Sequence, residues 1–282
     1  MKLRFGTVGA PKGSPQTGTP AAIAYARQIG LDALEIAWVH SVQAKDESCL
    51  QMQAAAREHD IRLSVHAPYY INLNSQTSDL MAKSDERLLT AARKGYLAGA
   101  TEIVFHPGSY HGQPPEQVYE RIKQKLIELQ NSLHSEGVTV TLCPETTGKS
   151  AMFGTLEEVL RLSREVEGVA PCIDIAHLHA RRGDGSLNSY DEFAEMFGLI
   201  RRELGEASLS NLHFHLSGIE YGPKGEKNHL ILEESDLAWR QFLQACVDFG
   251  VGGVMLFESP NLEEDALLAQ SAYREMAGGE AA

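Results

Sequence analysis

Eight short runs rich in apolar and β-branched residues recur along the 282-residue chain at intervals of about 30 to 45 positions. They are "LRFGTVG" (3–9), "ALEIAWV" (33–39), "RLSVHAP" (62–68), "EIVFHPG" (102–108), "VTVTLCPE" (138–145), "PCIDIAH" (171–177), "NLHFHLSG" (211–218) and "GGVMLFES" (252–259). Between them lie segments with apolar residues at helical spacing, among them 19–30, 84–100, 116–137 and 237–250, several of which stop at glycine. Strand and helix thus alternate throughout, and eight such βα units in roughly 250 residues is the size of a closed barrel. The expected fold is α/β, a single (β/α)8 TIM barrel. A doubly wound open sheet would carry a GxGxxG loop after its first strand, and "GTVGAPKGSPQTG" is glycine-rich without that spacing. No linker-like change in composition divides the chain, so one catalytic domain over 1–276 is expected, followed by a disordered tail over 277–282.

Composition narrows the class. No stretch reaches the roughly 18 to 20 uncharged apolar residues of a membrane helix, and "MKLRFGTVGAPKG" lacks the apolar core of a secretory signal. A cytoplasmic, monomeric protein without membrane contact is expected. The four cysteines, Cys49, Cys143, Cys172 and Cys246, form no CxxC pair, which argues for buried packing residues over a disulfide framework or a zinc knuckle. Lys+Arg 25 against Asp+Glu 38 leaves a net charge of −13, so the chain does not grip polyanions by bulk charge.

The chemistry of such a barrel lies at the C-terminal ends of its strands. Here strand three ends in His66, strand four in His106, strand five in Glu145, strand six in Asp174 and His177, strand seven in His215 and strand eight in Glu258. One such residue is ordinarily structural. Six successive strands are not, because imidazoles and carboxylates crowded into one mouth repel or stay unsatisfied unless cations hold them. Imidazole with carboxylate and no thiolate suits zinc, manganese or iron, zinc best of the three, and seven ligands are too many for one tetrahedral ion. At least two metals sharing a carboxylate are therefore expected. Two such ions suit hydrolysis at phosphorus, whereas one ion and a glutamate base suit sugar isomerisation.

"SVHAPYYINL" (64–73), "FHPGSY" (105–110), "CPETTGK" (143–149), "CIDIAHLHA" (172–180), "HFHLSG" (213–218) and "LFESP" (256–260) resemble, in order and spacing, the motifs of the endonuclease IV family of apurinic/apyrimidinic endonucleases. The match spans strands three to eight. The resemblance implies a zinc-dependent hydrolase that cleaves damaged DNA 5′ to abasic sites, with Glu145 and Glu258 as catalytic carboxylates. It implies that Glu145 bridges two zinc ions, His66 and His106 serving one and Asp174, His215 and Glu258 the other. His177 and His229 would hold a third ion, and Tyr69 would bind substrate near the abasic site. Two departures stand out. The family's third ion takes an Asp-x-His pair, but "GEKNHL" (225–230) places Lys227 two residues before His229, leaving Glu226 to reach in or the third site weak. The loop after strand two also lacks the arginine with which relatives enter DNA. A single-metal sugar isomerase or epimerase of the same superfamily is the alternative, since Glu145, Asp174, His215 and Glu258 are its ligand set too. Lys224, Lys227, Arg181 and Arg182 are candidates for a basic rim around the mouth.

Overall fold

The computed structural model describes residues 2–15 and 18–278. Eight parallel strands form the inner layer: β1 (Leu3–Val8), β2 (Ala33–Ala37), β3 (Arg62–His66), β4 (Glu102–Phe105), β5 (Thr141–Pro144), β6 (Cys172–Asp174), β7 (Leu212–Leu216) and β10 (Gly253–Phe257). Their order is β5-β4-β3-β2-β1-β10-β7-β6. Between the two end strands, Leu142 bridges Val169 and Glu145 bridges Cys172 in parallel sense, closing the ring. Helices α1 (Thr19–Gln28), α2 (Asp46–Glu58), α3 (Ser78–Leu97), α4 (Pro115–Ser135), α5 (Leu156–Glu165), α7 (Tyr190–Leu204), α8 (Trp239–Asp248) and α9 (Glu263–Met276) form the outer layer. The (β/α)8 barrel read from the alternation of apolar runs is the fold observed. The expected disordered tail falls, from 279 onward, outside the described residues. Among the described residues no helix is long and apolar enough to cross a membrane.

The core lies mainly between the two layers. On α4, Ile122, Leu126, Leu129 and Leu133 recur at helical spacing and all are buried. At about 1.5–3 kcal/mol for each large aliphatic side chain removed from water, that single stripe contributes about 6–12 kcal/mol before the entropy of ordering the helix is subtracted. Where α3 crosses the barrel there is no room for a side chain. A Cβ on Gly95 would lie 2.6 Å from Ile103 Cδ1 and 3.2 Å from Val65 Cγ2.

Two elements depart from the expected pattern. The sixth strand stops at Asp174, and His177 sits on a short helix α6 (Ile175–Ala180) instead of a strand end. Asp174 causes the switch by capping that helix, its Oδ1 accepting the His177 backbone N–H at 2.6 Å. After β7 the chain forms an antiparallel hairpin, β8 (Gly218–Gly222) and β9 (Gly225–Leu230), that puts His229 on a strand. Strands of only five and six largely polar residues carry no apolar run by which the sequence would mark them.

Candidate metal centre

Proline marks where three strands stop. Pro68 follows His66 by two residues, Pro107 follows His106, and Pro144 precedes Glu145. Lacking an N–H, proline cannot extend the ladder, so the neighbouring side chain is released into the mouth at a defined height. Gly108, at φ +139°, then brings the β4–α4 turn against Asn72; a Cβ there would lie 2.3 Å from Asn72 Oδ1.

Glu145 is the hub. It is fully buried, and each of its oxygens meets two imidazoles. Its Oε2 lies 3.2 Å from His66 Nε2 and 3.0 Å from His106 Nε2. Its Oε1 lies 3.2 Å from His215 Nδ1 and 3.3 Å from His177 Nδ1. Burial alone would raise the pKa of Glu145, but the surrounding imidazoles, His106 foremost, bring it well below the usual range. Burial likewise acts to lower His66, yet its bond to Glu145 prevails and the ring is pushed up to about 9. His177 and His215 are also raised well above their ordinary value, against burial, by Asp174 and Glu145 for the first and by Cys172 and the carboxylates for the second. Asp174, also fully buried, moves the other way, up to about 6, because desolvation outweighs the attraction of His177. Its Oδ2 has no hydrogen-bond partner.

The donor set fits divalent cations. His66 Nδ1 donates to the Ala67 carbonyl at 2.9 Å, and His177 Nδ1 to the Thr146 carbonyl at 3.0 Å. Once its second proton is displaced, each ring offers its Nε2 lone pair to the mouth, the arrangement by which a backbone carbonyl fixes a ligand tautomer. Three overlapping sets of ligand atoms fall within 4.8 Å of one another: His66, His106 and Glu145; Glu145, Asp174, His177 and Glu258; and His177, His229 and Glu258. Seven of the eight residues expected to bind metal fall in these sets; the eighth, His215, groups instead with Cys172 and His213, while its Nδ1 lies 3.2 Å from Glu145 Oε1. Tyr69 joins them, its ring stacked on His106 with centroids 5.6 Å apart and edge-on to His66 at 5.3 Å.

Glu226 takes the direction that the missing aspartate left open. Its Oε2 lies 3.3 Å from His177 Nε2, and its Oε1 lies 3.3 Å from Lys149 Nζ. Lys227, by contrast, points to solvent and pairs with Glu220 at 3.0 Å. The basic rim is correspondingly smaller than the sequence suggests. Arg181 spends its guanidinium on the carbonyls of Thr147, Lys149 and Met152 at 2.7–2.9 Å, holding the β5–α5 loop. His179 is likewise occupied, between Asp236 at 3.1 Å and the Ser186 carbonyl at 2.9 Å.

Sequence reasoning missed a polar layer beneath the mouth, made of Glu35, Ser64, Glu102 and His213, all buried. Strand periodicity held the signal, since Ser64 lies two residues before His66, and Glu35 and Glu102 are acids inside apolar runs.

A family model described as "Xylose isomerase-like TIM barrel" matches residues 23–276. An uncharacterised protein of Methanocaldococcus jannaschii is 36% identical over 276 residues, covering 98% of each chain. A probable endonuclease 4 of a Geobacillus species is 31% identical over 185 residues, 63% of this chain and 59% of that one. Two solved structures share the fold. A D-tagatose 3-epimerase-like protein superposes with a TM-score of 0.74 at 16% identity, covering 98% of both chains. Endonuclease IV from Thermus thermophilus superposes with a TM-score of 0.71 at 22% identity, covering 98% of this chain and 99% of that one. At such identities these two structures speak for the fold alone. With the family model matching nearly the whole barrel, the chain belongs to the xylose isomerase-like TIM barrel family.

Proposed function

We propose that the protein is a zinc-dependent phosphodiesterase that cleaves DNA 5′ to abasic sites, the chain through 276 acting as one catalytic domain. The observation that carries this reading is the division of labour at Glu145, which turns one oxygen to His66 and His106 and the other to His177 and His215. A carboxylate with imidazoles on both of its oxygens suits a bridge between cations. Chemistry with a single ion, as in sugar isomerisation, would leave His66 and His106 without a cation to hold. The partial match to proteins named endonuclease 4 supports the same reading.

Bound zinc would supply Lewis acidity toward a phosphoryl oxygen and activate water near neutral pH. The chain's own groups then have distinct tasks. His66, His106 and Glu145 hold one position, Asp174, His215 and Glu258 a second, and His177 and His229, with Glu226 beside them, a third. Tyr69, 48% exposed and stacked on His106, borders the mouth with the still more exposed Tyr70, giving aromatic faces against which a displaced nucleotide can rest. A backbone phosphate reaches the mouth only if the strand bends or a nucleotide leaves the stack, and an abasic site lowers that cost because no base must be unpaired.

The test incubates zinc-loaded protein with a labelled duplex bearing one abasic analogue at low salt, beside Glu145→Gln and a panel of ketoses and aldoses. A metal-dependent nick leaving a 3′-hydroxyl is expected. Sugar interconversion without any nick would overturn the nuclease reading.

A further inference from the structure

The buried polar layer runs the length of the barrel. Glu35 Oε2 accepts from Ser64 Oγ at 2.6 Å and lies 3.2 Å from His213 Nε2. His213 Nδ1 donates to Glu102 Oε2 at 3.3 Å, and Glu102 Oε1 accepts from Arg62 Nη2 at 2.8 Å. Arg62 also donates to Asn211 Oδ1 at 2.8 Å, at the end of the barrel opposite the mouth. At the upper end of this series Glu35 Oε1 lies 3.0 Å from Nε2 of His215. Both residues are fully buried.

An imidazole that ligates through one nitrogen carries its proton on the other, which then needs an acceptor. His215 turns Nδ1 toward Glu145 at 3.2 Å and Glu258 at 3.6 Å. On its far side, His215 Nε2 and Glu35 Oε1 are both buried without a hydrogen-bond partner, facing each other at 3.0 Å but out of line for a bond. These two buried atoms are left for each other. We propose that Glu35 is a positioning residue for the metal ligand His215: it accepts a hydrogen bond from Nε2–H, so fixing the tautomer and aiming Nδ1 into the mouth. Ser64 and His213 hold the Glu35 carboxylate in place, and Glu102 and Arg62 anchor His213 from below. A carboxylate that merely filled space would be costly so deep in a barrel, whereas one that orients a ligand explains both its charge and its location.

This inference rests on the metal reading of the mouth, and the experiment separates the two. Full-length wild type, Glu35→Gln and Ser64→Ala are stripped of metal, checked for folding by thermal unfolding, and reloaded. Zinc affinity is measured by competition with a chromophoric chelator, and coordination by the visible spectrum of the cobalt(II) form. Glu35→Gln is expected to bind one metal about 10- to 100-fold more weakly and to shift the cobalt bands, leaving metal at the other positions unchanged. Ser64→Ala is expected to change the same metal in the same direction by less, and decides the matter if Glu35→Gln does not fold. Wild-type metal uptake with unaltered affinity and spectrum in the folded variants overturns this inference alone. A wild type that takes up no metal overturns it together with the metal reading. Cys172 lies within ligand distance of His213 and His215. A thiolate-to-cobalt charge-transfer band lost in Cys172→Ser would put the cation there and overturn the positioning role.

Discussion

Glu145→Gln is the perturbation with the largest effect that the geometry allows. The side chain keeps its shape but loses the charge that faces four imidazoles at 3.0–3.3 Å. At an effective dielectric of about 20, a pair of unit charges at this distance is worth about 5 kcal/mol before desolvation is counted. Desolvation offsets much of that, and removing one member of a fully buried charged set costs about 3–5 kcal/mol net. At 1.4 kcal/mol per decade, metal retention should weaken between about a hundredfold and several thousandfold, with nicking falling by about a thousandfold. His106→Asn provides the scale. Its side chain is 26% exposed and approaches only Oε2, so a loss of about tenfold is expected after allowing for solvent screening. Metal content after dialysis against a weak chelator and single-turnover nicking of an abasic duplex measure the two effects. Glu145→Gln protein that keeps its full metal content and a rate within tenfold of wild type would refute the bridging role.

Metal binding should release protons. With no cation bound, His66 is held up to about 9, and His177 and His215 well above their ordinary value, so these rings carry protons near pH 7.5 that a cation must displace. Affinity should accordingly rise as pH rises toward 9 and fall as the solution is acidified; calorimetry in buffers of different ionisation enthalpy reads the proton count, and a value of zero at pH 7.5 would contradict the assignment. At the third position, Glu226→Ala should loosen one metal about tenfold while Lys227→Ala leaves metal content unchanged, because Glu226 reaches His177 and Lys227 reaches only Glu220. The reverse ranking in a chelator titration would show that the hairpin presents its residues differently.

The order of strands and helices was legible in the sequence because burial on both faces leaves an unbroken apolar run, and eight such runs separated by helical spacing admit few closed arrangements. The strand-end residues were legible for a related reason. A histidine or carboxylate at the last position of an apolar run has nowhere to go but the barrel mouth, so His66, His106, Glu145, His215 and Glu258 could be placed together without coordinates. Period-two alternation held a signal for Ser64 and His213 that went unread, but even read it does not show that Glu35, from strand two, lies 3.0 Å from His215, from strand seven, since that contact exists only once the sheet closes. The same limit applies at the rim. Arg181 and Lys227 are cations of equal promise in the chain, yet one is spent on backbone carbonyls and the other on Glu220, while Glu226 turns inward to His177. Local pattern decides which face of its element a side chain occupies. Which partner it meets there depends on elements far away in sequence, and only the folded barrel brings them within reach.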